Sequence, residues 1–141
     1  MDSRRRSLLQ NRRGLFPRRE RGILKAFNMR VIARSTLARF VATLTRSSDR
    51  VAVKAALAAW YHEVDHAAWR NSQDVKRAYA SASIVDAERV VFNVKGNSYR
   101  LVTAIDYQRQ LVFIKWLGTH KEYDKIDVRT IMYGDQTYQK R

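Results

Sequence analysis

The 141-residue sequence has no cysteine and a single proline, Pro17. Without cysteine it can form no disulfide and no thiolate zinc site, a composition that suits a reducing interior. No stretch approaches the roughly 18 apolar residues that a transmembrane helix needs. The N-terminus carries charge but no apolar core of the kind a secretory signal has. A cytoplasmic protein with no membrane partner is the expectation. Internal repeats are absent as well. Acidic residues are the remaining shortage: 13 Asp and Glu face 28 Lys and Arg, for a net charge of +15. The usual partners of such a field are polyanions, either nucleic acid or an anionic membrane surface. The length is that of one domain, enough to enclose a core.

Residues 1–28 differ from the rest. Nine Lys and Arg (from Arg4 to Lys25) stand there against Asp2 and Glu20, so this segment holds +7 of the +15. It shows no sustained apolar period, and Pro17 interrupts it. It reads as a disordered basic arm, or as a leader that is not part of the native protein. A folded domain over residues 29–133 and a flexible tail over 134–141 complete the expected division.

Within the domain, residues 29–33 form a short apolar strand candidate. Ser35 is positioned to cap a helix through about Leu44, with Leu37, Phe40, Val41 and Leu44 on one face. Asp49 is positioned to cap a second helix over residues 50–69, whose stripe is Val53, Leu57, Trp60, Tyr61 and Val64. A short helix fits residues 74–79. Three runs rich in Val, Ile, Phe and Tyr follow at 89–94, 98–105 and 111–117, joined by short turns. That spacing predicts an antiparallel meander. A last helix over about 122–132 closes the pattern. The fold class expected is α+β, with N-terminal helices packed on a small antiparallel sheet.

One motif points elsewhere. His62-Glu63-Val64-Asp65-His66 matches H-E-x-x-H on a predicted helix, the spacing that places two imidazoles on one face for zinc with a glutamate as base. A catalytic zinc needs a third protein ligand, and the only other histidine, His120, is not close downstream. The apolar stripe turns inward and rotates His62 and His66 towards solvent. The alternative is two surface histidines on an amphipathic helix, with no metal and no cofactor.

The hairpin Val91-Phe92-Asn93-Val94-Lys95-Gly96-Asn97-Ser98-Tyr99-Arg100-Leu101-Val102, followed by Gly118-Thr119-His120-Lys121-Glu122-Tyr123-Asp124, resembles the HigB-type toxins of bacterial type II toxin–antitoxin modules, in the RelE superfamily. The Trp60-Tyr61 helix and residues 79–84 are similar to that family too, and the resemblance spans about residues 29–132. It implies a RelE-like sheet flanked by N-terminal helices and a metal-independent mRNA interferase that works on translating ribosomes. It also implies silencing by a HigA-type antitoxin with a helix-turn-helix domain, operator DNA being met only through that complex.

RNA cleavage by the neighbouring 2′-OH needs a base, cations for the charge on the phosphorane, and an acid for the departing 5′-oxygen. His120 suits base or acid, since imidazole titrates near neutrality. Arg100 and Lys115 suit phosphate clamping, and Tyr123 can stack on a base or donate its hydroxyl. The resemblance assigns catalytic work to Arg100, His120 and Tyr123. Lys95, Asn97, Lys121 and Asp124 are candidate RNA contacts, and each has a structural alternative: solvated charge for the lysines, turn formation for Asn97, helix capping for Asp124. Arg100 could instead pair with Asp106 or Asp124, and Tyr123 could be core. The hairpins are expected to bring Arg100 near Lys115 and Trp116, so that Lys95, Arg100, Lys115, His120 and Tyr123 gather at one sheet edge. A non-catalytic nucleic-acid-binding module is the competing reading of the same basic sheet.

Overall fold

The computed structural model describes residues 28–45 and 48–133. In chain order these form β1 (Arg30–Ile32), α1 (Arg34–Ala42), α2 (Arg50–Asp65), α3 (Ser72–Ala78), β2 (Ser83–Ile84), β3 (Arg89–Val94), β4 (Tyr99–Asp106), β5 (Leu111–Thr119) and α4 (His120–Tyr123). The class is α+β, as the element pattern predicts. The basic arm and the C-terminal tail expected from sequence lie outside the described residues, apart from Asn28.

The meander forms where the β-branched runs place it. Val94 pairs with Tyr99 across the first hairpin, and Asp106 pairs with Leu111 across the second. The first turn needs positive φ at Lys95 (53°) and Gly96 (60°), and glycine adopts that conformation without steric cost. Side chains alternate. Val90, Phe92 and Val94 of β3, with Leu101 of β4, enter the main core beside Val53, Leu57, Trp60 and Val64 of α2. Val91, Val102 and Trp116 point the other way, into a second cluster. Both faces are therefore buried, which explains strands that read as nearly continuous apolar runs.

The sheet is not wholly antiparallel, which corrects the expected topology. Its order is β1-β5-β4-β3-β2, and β1 runs parallel to β5, with Arg30 opposite Leu111 and Ile32 opposite Phe113. Three residues cannot announce a partner about eighty positions away. The pairing is a tertiary contact, made across the helices and strands that lie between β1 and β5 in the chain. The two-residue β2 on the opposite edge has too short a signal to be seen before its pairing with β3.

Other boundaries shift for local reasons. Ser35 lies inside α1; the N-cap position is Ala33, with no side-chain cap. Asp49 does precede α2 but makes no capping bond, and its carboxylate meets the Tyr99 hydroxyl (3.1 Å) and the Lys95 ammonium (3.5 Å) instead. Helix α2 stops at Asp65 rather than near 69. The Ala67 carbonyl accepts from the Met29 N–H at 2.8 Å, drawing the chain towards β1. Trp69 then stacks on Phe92, with ring centroids 6.2 Å apart.

The expected helix over 122–132 is a single turn, α4, followed by turns. Ile126, Val128 and Ile131 fold beneath the sheet onto Trp116 and Val102. Arg89 holds this segment: its buried guanidinium donates from Nη1 to the carbonyls of Val128 (3.1 Å) and Ile131 (2.8 Å). The domain is thus a sheet between a helical layer and a returning C-terminal segment.

Candidate functional site

The site grows from the end of the sheet where β4 begins and β5 finishes. Arg100 lies opposite Asn93 on β3 and Gly118 on β5. It shares the face of Val102 and Trp116, away from the helices. Its Nη1 donates to the carbonyls of Asn97 (2.9 Å) and Tyr99 (3.3 Å). These bonds fix the guanidinium while leaving Nε and Nη2 to meet an anion. The group lies 6.0 Å from the centroid of the Tyr123 ring, and that ring is 6.4 Å from Trp116. Neither acid considered as a partner for Arg100 is paired with it: Asp106 faces Arg109 at 3.6 Å, and Asp124 forms the C-cap of α4.

The turn carrying Tyr123 is set by a capping box. The Thr119 side chain accepts from the Glu122 N–H at 3.1 Å, while the Glu122 carboxylate accepts from the Thr119 N–H at 3.0 Å. Thr119-x-x-Glu122 is the usual pattern of such a box, so this feature was readable in the chain. His120 is the first residue of that turn. Its N–H donates to the Ser98 carbonyl at 3.0 Å, tying it to the first hairpin. Its exposed imidazole makes no hydrogen bond or ion pair among the described residues. Lys121 is exposed beside it.

Gly118, part of the motif but given no role by the sequence, has a steric one. A Cβ there would come within 2.4 Å of the Trp116 ring and 2.7 Å of Glu122 Oε1. Glycine lets the indole lie across the strand while the capping box closes over it. Burial raises the Tyr123 phenol above the ordinary tyrosine value; Arg100 opposes that shift and Asp124 adds to it. The hydroxyl is protonated at neutral pH and serves as a donor.

Two candidates are not brought into the group. The β4–β5 register breaks between Val102 and Thr103, where Trp116 and Ile114 are the partners and Lys115 is the extra residue. Lys115 stands three positions before Gly118, roughly 10 Å along the strand. Its ammonium turns towards Met132 Sδ (3.7 Å) and the Phe113 ring (5.5 Å). Lys95 sits in the hairpin and pairs with Asp49 on the helical side. The sheet edge expected to collect five side chains therefore gathers Arg100, Tyr123 and the backbone of His120, with Asn97 in the turn. Asn97 also accepts from Asn93 Nδ2 at 3.4 Å.

On α2, the rings of His62 and His66 lie 4.4 Å apart, and His66 Nδ1 meets the His62 carbonyl at 2.8 Å. Glu63 accepts the hydroxyl proton of Tyr79. Burial, and then this bond, raise the Tyr79 phenol above its ordinary value. No third histidine or carboxylate joins the pair among the described residues. The donor set does not fit a catalytic zinc.

Among the described residues, a five-stranded mixed sheet with four helices is an α+β architecture consistent with a RelE-like fold. The HigB_toxin family model, described as the RelE-like toxic component of a toxin-antitoxin system, matches residues 53–126, and the chain belongs to that family. The match starts within α2 and takes in the whole meander and α4. No curated protein matches the chain. Membership implies an antitoxin partner. No described helix is long and apolar enough to cross a membrane.

Proposed function

We propose that this toxin is a metal-independent endoribonuclease that cleaves mRNA on the ribosome. The observation carrying this reading is the meeting of Arg100 and Tyr123 at the end of the sheet where the His120 backbone is tied to the first hairpin, in a chain of net charge +15. His120 acts as the base that takes the 2′-OH proton. The 2′-oxygen attacks phosphorus, the bond to the 5′-oxygen breaks, and a 2′,3′-cyclic phosphate and a 5′-hydroxyl result. Arg100 offers its free N–H groups to the phosphorane, where preorganised donors are most effective. Tyr123, held protonated, gives its hydroxyl proton to the departing 5′-oxygen and regains one from solvent, and Trp116 fixes its ring. Asn97, Lys121 and Asp124 border the group and take the flanking RNA; Lys95 and Lys115 lie at its margins and contribute charge. The partner is a HigA-type helix-turn-helix antitoxin, through which alone operator DNA is met. The setting is the cytoplasm.

The residues outside the domain are proposed to be dispensable for cleavage, so a chain starting at Met29 retains toxicity. The decisive experiment expresses wild type and His120→Ala, follows growth and maps mRNA ends. Wild type should arrest growth with new mRNA breaks, and folded His120→Ala should do neither. Arrest by both with intact mRNA would replace the nuclease with a non-catalytic RNA-binding module.

A further inference from the structure

The helical layer carries a groove that the cleavage reading leaves unused. Helices α1 and α2 enclose about 270 Å³ between them. Leu37, Val41 and Leu57, all buried side chains, line its floor. Ala38 and Ala58 line the walls with exposed methyl groups, short enough for another helix to come close. Val51, seven residues before Ala58 and so on the same side of α2, is 80% exposed and extends the apolar surface.

The rim is charged with one sign only. Arg34, Arg50 and Lys54 border the groove, and no carboxylate lines it. Arg34 lies over the Tyr61 ring, 5.0 Å from its centroid. Arg50 and Lys54 have no ion pair among the described residues.

We infer that this groove docks an acidic, amphipathic helix of the antitoxin. Such a helix would set Leu, Ile or Val at i, i+3 or i+4, and i+7 on the floor, with Asp and Glu meeting the rim. Charge decides against the other occupants. Residues 1–28 carry nine cations against two acids, and residues 134–141 carry Lys140 and Arg141 against Asp135, with no Leu, Ile or Val. A second copy placed by two-fold symmetry would set the same three cations against themselves. The groove lies on the opposite side of the sheet from Arg100 and Tyr123, so this contact anchors the antitoxin without touching the strand-end cluster. The inference rests on membership of a toxin–antitoxin family, and not on which reaction the toxin performs.

The test uses the full chain in a His120→Ala background and its cognate antitoxin, with dissociation constants measured by calorimetry at 50 and 300 mM salt. Two variants are compared after circular dichroism has shown them folded: Ala38→Arg, which fills the groove, and the double variant Arg50→Glu with Lys54→Glu, which reverses its rim. Each should weaken binding at least 30-fold, and the double variant should lose most of the salt dependence of the parent. Restored to His120, both should arrest growth and escape rescue by co-expressed antitoxin. Dissociation constants within threefold of the parent for both variants would overturn the inference. So would a dimer of the parent alone that Ala38→Arg converts to monomer. If His120-bearing wild type fails to arrest growth, the nuclease reading falls while the dissociation constants still judge the groove.

Discussion

Under the proposed cleavage, substitution at Arg100 tests a charge, and substitution at Tyr123 tests a ring and a hydroxyl. Tyr123→Phe keeps the contacts with Arg100 and Trp116 but removes the donor. Cleavage under single-turnover conditions should fall about 10²-fold, the lower end of what a positioned proton donor contributes. RNA affinity, followed by fluorescence anisotropy, should change little. Arg100→Lys keeps the charge and loses the planar fork, so both affinity and cleavage should fall. Gly118 sets a steric condition rather than a chemical one. Gly118→Ala forces a methyl group against the Trp116 ring at 2.4 Å. This overpacking should cost about 1–3 kcal/mol, read as a lower midpoint in urea. The glycine was legible as a residue before the His120 motif, but its reason was not. The indole crosses it only because Trp116, displaced by the bulge at Lys115, lies on the second face.

Among the elements, α3 depends most on its first turn. Asn71 accepts from the Asp74 N–H at 3.1 Å, and Asn71→Ala should destabilise the fold by about 1 kcal/mol in thermal melts. Asp74 accepts from both the N–H and Nε of Arg70 (2.9 and 3.1 Å) and meets Arg77. The bonds from Arg70 lower its carboxyl to about 2. A carboxyl depressed in the folded state stabilises above its unfolded value and loses that contribution as pH falls through the folded one. The expected loss therefore runs from about pH 4 down to about 2. Asp74→Asn should flatten that limb of a pH titration of the melting midpoint. Helices α1 and α2 were readable from their apolar stripes, since burial of Leu37, Phe40, Val53, Leu57 and Trp60 follows the 3.6-residue period. Their ends were less so. The stop of α2 at Asp65 depends on Ala67 bonding to Met29, a contact no local pattern contains.

For the whole molecule, the phenols of Tyr79, Tyr107 and Tyr123 are all raised, burial being the first cause in each. Groups raised in the folded state stabilise below their unfolded value, and that contribution is lost as pH rises past about 10. Alkaline unfolding should begin there and shift upward in Tyr79→Phe. The excess of cations also predicts steep salt dependence in RNA binding. The logarithm of affinity should fall against the logarithm of salt by about 0.7 per phosphate engaged, and Arg100→Ala should reduce the slope by roughly one phosphate.

By itself the sequence determined the class of the fold, the meander with its hairpins, the helical stripes and the family. Each of these is written in short-range periodicity or in contiguous motifs such as Gly118-Thr119-His120. Only the tertiary structure decided the parallel pairing of β1 with β5, the burial of Arg89 beneath Val128 and Ile131, and the separation of Lys115 from Arg100. The first two depend on partners tens of residues away. The third follows from register: Arg100 stands opposite Gly118, so Lys115 lies three positions away along β5, in the bulge, with its ammonium turned towards Met132.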